Sequence, residues 1–124
     1  MTQWIGSKGS LLADLASLTF HTPSRWNIQA LTDTELYVIG KDDYNRIGEK
    51  VPKWPEIEKH FLIHCFTIME DRIFAHLSMS AEERYAAFYE RNQELFSQVP
   101  QHYIASLLGM TPETFSRIRK RQQS

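Results

Sequence analysis

Hydrophobic and polar positions change their spacing several times along this chain, and each change marks an element. Near the start, Leu11, Leu12, Leu15 and Leu18 recur at helical spacing over a short patch that Thr22-Pro23-Ser24 breaks. Trp26, Ile28 and Ala30 then alternate with Asn27 and Gln29, the pattern of a half-buried strand. Thr32-Asp33-Thr34 predicts a turn, and residues 35–39 (Glu-Leu-Tyr-Val-Ile) predict a second strand ending at Gly40. Together they suggest a hairpin, although two strands alone do not make a stable sheet. Residues 42–47 suggest a short helix closed by Gly48, and Pro52 and Pro55 mark a linker whose second proline suits a helix start.

No glycine or proline interrupts residues 56–77, so a long helix is expected there. Its apolar residues, among them Ile57, Phe61, Cys65 and Ile68, spread over more than one face and so offer two packing surfaces. One suits the rest of the chain and the other the same helix of a second subunit, with Ile57, Phe61, Cys65, Ile68 and Arg72 as the expected dimer residues. Ser80-Ala81-Glu82-Glu83 has the form of a capping box, and an aromatic stripe of Tyr85, Phe88, Tyr89 and Phe96 follows at helical spacing.

Residues 101–121 carry the most specific pattern. Ala105 is the small residue that lets two helices cross closely. Gly109 suits the left-handed position that ends the first helix. Thr111 is a good N-cap, and Pro112 follows at the first helical position, where its missing N–H costs nothing. Ile104, Leu108, Met110, Phe115 and Ile118 would close the pair of helices. With Phe115 and Ile118 turned inward, Glu113, Thr114, Ser116, Arg117 and Lys120 face outward or sideways. This is a helix-turn-helix, whose second helix reads base edges in the major groove. Arg117 suits a bidentate bond to guanine and Glu113 suits a cytosine amino group. Thr111, Thr114, Ser116, Lys120 and Arg121 suit phosphate oxygens, which set register without reading sequence.

Composition adds limits rather than direction. The 124 residues are 42% hydrophobic and 23% charged, as in a globular protein, and the net charge of −1 gives no global attraction to nucleic acid. Locally the balance differs: residues 111–124 hold Arg117, Arg119, Lys120 and Arg121 against the single acid Glu113. Cys65 is the only cysteine, which rules out an internal disulfide or a cysteine-based zinc cluster within one chain. No apolar run is long enough to span a membrane and the first residues are not a secretory signal, so a cytoplasmic protein is expected. No nucleophile with a base, P-loop or patterned acid pair is present. His60 and His64 stand four apart without the intervening glutamate of a zinc protease, so neither enzyme activity, metal nor cofactor is expected.

Residues 103–120, from Tyr-Ile-Ala-Ser-Leu-Leu-Gly-Met through Thr-Pro-Glu-Thr-Phe-Ser-Arg-Ile-Arg-Lys, resemble the C-terminal helix-turn-helix of Crp/Fnr-type bacterial transcription regulators. The match is to the branch that ends soon after the recognition helix. Residues 77–85 resemble the start of that DNA-binding domain, and residues 23–31 with Glu35, Leu36 and Ile39 resemble later strands of a cyclic-nucleotide-binding-like β-roll. The resemblance implies an α+β chain in three parts: a partial antiparallel β-roll over 1–54, a long dimerisation helix over 55–78, and a helix-turn-helix domain over 79–124. It also implies that the first residues fall inside a sensor domain whose earlier strands lie upstream.

Effector binding departs from that family. Gly9-Ser10-Leu11 lacks the acid that would hold a ribose, and Ser24-Arg25 inverts the order of the phosphate-binding pair. A cyclic nucleotide is therefore not expected, although Ser24 and Arg25 remain the candidate effector pocket for an unknown small molecule. The leading expectation is a homodimer that binds double-stranded DNA and regulates transcription. The alternative is a shortened partner that pairs with a full-length homologue and modulates it without binding DNA.

Overall fold

The computed structural model describes all residues, Met1–Ser124. Eight helices follow in order: α1 (Leu15–Phe20), α2 (Lys41–Asn45), α3 (Ile47–Lys50), α4 (Trp54–Ser78), α5 (Ala81–Arg91), α6 (Gln93–Gln98), α7 (Gln101–Leu107) and α8 (Pro112–Gln122). The chain divides into two compact units. One comprises Met1–Leu12, Gln29–Thr32 and Ile73–Ser124; the other comprises Ala13–Ile28 and Asp33–Arg72.

There is no strand, so the expected α+β class and the partial β-roll over 1–54 are corrected to an all-helical fold. The physical reason lies in what a strand is. Alternation and β-branched residues favour an extended backbone, but a strand exists only through ladder hydrogen bonds to a neighbour. Residues 26–30 and 35–39 have the composition and no such neighbour, and Tyr37 is 95% exposed. A cyclic-nucleotide-binding-like domain is excluded with the sheet that would build it.

In the unit made of 13–28 and 33–72, helix α1 starts later than its apolar spacing suggests. Asp14 is its cap, accepting from the N–H groups of Ala16 and Ser17. Gly48 lies within α3 rather than closing a helix before it. Tyr44 packs edge-on against Trp54 with ring centroids 5.7 Å apart. Its hydroxyl donates to the Glu58 carboxylate, and burial together with that acceptor pushes the phenol up to about 12.

α4 begins at Trp54 with Pro55 in its first turn and holds no buried residue. Trp54, Glu58, Phe61, Cys65, Ile68, Arg72 and Ala75 are half-buried along one face, in steps of three and four. Leu62, Phe66, Met69, Ile73 and Leu77 form a second apolar row, and all five are exposed. No helix is long and apolar enough to cross a membrane.

The other unit holds the protein's core. Tyr85, Leu95, Val99, Ile104, Ala105, Leu108, Phe115 and Ile118 form one buried cluster drawn from α5 to α8. Ile5 and Leu31 pack against it, and the Thr2 N–H donates to Ser106 Oγ at 2.8 Å. The first residues therefore belong to the compact unit of the helix-turn-helix, not to a separate sensor. α5 opens with the expected capping box: Ser80 Oγ accepts from Glu83 N–H and the Glu83 carboxylate accepts from Ser80 N–H. That bond holds the Glu83 carboxyl below its ordinary pKa. The aromatic stripe is not one helix. Asn92 breaks it, its side chain donating to the Phe88 carbonyl at 3.0 Å, and α6 then turns Leu95 inward with Phe96 packed beside it.

Candidate nucleic-acid interface

α7 and α8 make the helix-turn-helix, and the local sequence explains each part. Ala105 is fully buried where the helices meet. A larger side chain would hold them apart. The chain turns at Gly109, whose φ of +67° lies in the left-handed region, and a Cβ there would stand 2.9 Å from His76 Nε2. Met110 N–H donates back to the Ala105 carbonyl at 3.0 Å, which closes the turn. Thr111 then caps α8, accepting from Thr114 N–H at 3.2 Å, with Pro112 in the first position.

A residue that periodicity does not single out fixes the turn in place. Arg84 on α5 donates through Nε to the Leu108 carbonyl at 3.0 Å and through Nη1 to the Met79 carbonyl at 2.7 Å. Both acceptors end helices and lack partners of their own within the helix. Arg84→Ala is expected to cost about 1.5–3 kcal/mol, seen as a lower urea midpoint at unchanged m-value. A shift below about 0.5 kcal/mol would show that water replaces the clamp at no cost.

Phe115 and Ile118 are each 1% exposed, inside the core as expected. Their burial sets the rotation of α8. Glu113, Ser116, Arg117 and Lys120 are exposed on the side facing away from the core, and Thr114 is half-buried beside them. Arg117 Nη2 reaches Thr114 Oγ1 at 3.5 Å and makes no ion pair, so its guanidinium stays in solvent near the helix start. These residues form one polar surface carrying two basic groups and one acid.

Two expected phosphate contacts have other work. The Thr111 hydroxyl both accepts from Thr114 N–H and donates to Thr114 Oγ1 at 3.1 Å, which makes it a structural cap. Arg121 Nη1 stands 3.4 Å from Glu82 Oε1, and both side chains are largely exposed. That pairing offsets part of its charge. Thr114 Oγ1 accepts from the Thr111 hydroxyl and from Arg117, while Ser116 and Lys120 are exposed.

At the candidate effector residues Ser24 and Arg25, two polar groups are engaged within the chain. Ser24 Oγ donates to Asp14 Oδ2 at 3.1 Å and the Arg25 N–H donates to the same oxygen at 3.0 Å. These donors hold the Asp14 carboxyl below its ordinary pKa. Asp14 thus takes up the Ser24 hydroxyl and the Arg25 backbone N–H, while the Arg25 guanidinium lies 5.8 Å from the centre of the Trp26 ring. The expected dimer residues divide. Phe61, Cys65, Ile68 and Arg72 lie on the half-buried face of α4, where burial lowers the Arg72 pKa. Ile57 is exposed.

No known protein family, curated protein or solved structure matches the chain.

Proposed function

We propose that the chain binds double-stranded DNA sequence-specifically through α8, as a homodimeric transcription regulator. One observation carries this reading. Phe115 and Ile118 are buried, and that rotation leaves Glu113, Ser116, Arg117 and Lys120 together on the free face of a capped helix. An exposed arginine and a carboxylate in the first turns of a second helix are the groups that read guanine and cytosine edges. The net charge of −1 means that affinity must come from this local surface rather than from the whole protein.

A homodimer suits both the target and α4. Helix-turn-helix proteins read paired half-sites with paired subunits. The exposed row of Leu62, Phe66, Met69, Ile73 and Leu77 advances in steps of three and four, so an identical row from a second copy fits it as an isologous contact. An apolar strip of this length is unfavourable in water and marks an interaction surface.

Selection from a random duplex pool, followed by titration at several salt concentrations, tests the reading. Arg117→Ala is expected to weaken the selected site by about tenfold or more while leaving random DNA unchanged. Lys120→Ala is expected to weaken both alike and to reduce the salt slope by about one. Enrichment of no sequence, or equal losses on both DNAs for the two variants, overturns the assignment. Binding to another helix-turn-helix protein with no DNA binding of its own would favour a modulating partner instead.

A further inference from the structure

A cleft of about 300 Å³ lies among α5, α6 and the end of α8, away from the free face of α8. Three aromatic rings wall it. Tyr85 and Tyr89 are parallel to within 5° with centroids 6.2 Å apart, and Phe96 stands nearly perpendicular to both, 5.4 and 4.9 Å away. Arg119 supplies the only charge among the lining residues; the rest of the lining is glutamine and serine, and none of it is acidic. Arg119 takes no part in the ion pairs of the protein, which are Arg46–Asp43 and Arg121–Glu82.

We infer that this cleft binds a small aromatic carboxylate, the ring against the exposed Tyr89 and the half-buried Phe96 and the carboxylate on Arg119. The chemistry of the lining selects the ligand class. Offset and edge-on contacts with Tyr89 and Phe96 favour a flat aromatic body over an aliphatic one of equal size. A guanidinium presents a planar fork that matches a carboxylate in bidentate fashion. The volume is at the lower end for ligand cavities, which suits one or two fused rings. The charge also acts inside the aromatic cluster: burial raises the Tyr85 pKa and the Arg119 charge opposes that rise. Arg119 and Gln122 are three residues apart, on a different side of α8 from Glu113, Ser116, Arg117 and Lys120. The site is therefore separate from the proposed DNA surface and does not depend on it.

Titration of the full chain with indole-3-acetate and with its neutral amide, followed by backbone amide NMR shifts, tests the inference. The carboxylate is expected to bind one per chain, at least about tenfold tighter than the amide, with shifts centred on α5, α6 and the end of α8. Arg119→Gln is expected to abolish the difference between the two probes. Tyr89→Ala, at an exposed ring, is expected to weaken both, and the melting temperature of each variant checks that the fold is kept. Equal affinity for carboxylate and amide, an unchanged preference in Arg119→Gln, or binding of neither probe up to its solubility limit overturns the inference.

Discussion

Phe115→Ala is expected to destabilise the helix-turn-helix unit by about 3–5 kcal/mol. Phe115 is 1% exposed, and its ring lies 5.2 Å from Tyr85 and 5.9 Å from Phe96. Truncation removes those ring contacts and leaves a cavity that α5 and α6 cannot fill without abandoning their own packing. Native domains are stable by only about 5–15 kcal/mol, so the loss is a large share of the total. Urea denaturation followed by helical circular dichroism measures it. Ser116→Ala, one residue on and facing solvent, is the control and is expected to stay within about 0.5 kcal/mol. The pair of variants also tests the functional reading, because the inward side of α8 decides which residues are free for DNA. A loss below about 1 kcal/mol for Phe115→Ala would mean that the helix is rotated, and Arg117 would lose its place on the outer face.

The contrast between the two ends of the chain shows which features a sequence carries. Gly109, Thr111 and Pro112 act through their own backbone and nearest neighbours, and the capping box at Ser80 closes over three residues. Such signals are complete within a short window, so the turn and the helix start at residues 109–112 were legible. Strands are different. Trp26, Ile28 and Ala30 alternate correctly, yet whether they form a strand depends on a partner that no local pattern reveals. The same distance dependence hid the site's other features. Arg84 reaches the Leu108 carbonyl across 24 residues, Arg121 meets Glu82 across 39, and Asp14 gathers Ser24 and Arg25 from ten residues away or more. A serine and arginine side by side in sequence look like an anion site; that an aspartate folds onto the serine hydroxyl and the arginine N–H is not visible there. Helix α4 stood between these cases. Its length and two-faced character followed from the pattern, but which face stays exposed followed from the fold.

That distinction makes Phe66→Lys the most consequential substitution for assembly. α4 is 25 residues, about 37 Å long, and Phe66, second in the exposed row, lies at the midpoint of the helix with 62% of its surface in water. A lysine at this position costs the isolated chain little, because its charge stays solvated. Between two copies of α4 the same ammonium would be buried against apolar side chains without a partner, which the interface cannot tolerate. Phe66→Lys is therefore expected to sediment as a monomer at micromolar concentration where the parent chain sediments as a dimer, with an unchanged urea midpoint for the helix-turn-helix unit. Loss of the second subunit turns a bivalent contact into a monovalent one. Affinity for a selected site with two half-sites is then expected to fall by about 100-fold or more, while affinity for a single half-site stays the same. Phe61→Ala supplies the contrast: it lies on the half-buried face, so it is expected to lower stability without dissociating the dimer. A parent chain that is already monomeric, or a Phe66→Lys variant that remains dimeric, removes this face of α4 from the interface and leaves each recognition helix to bind alone.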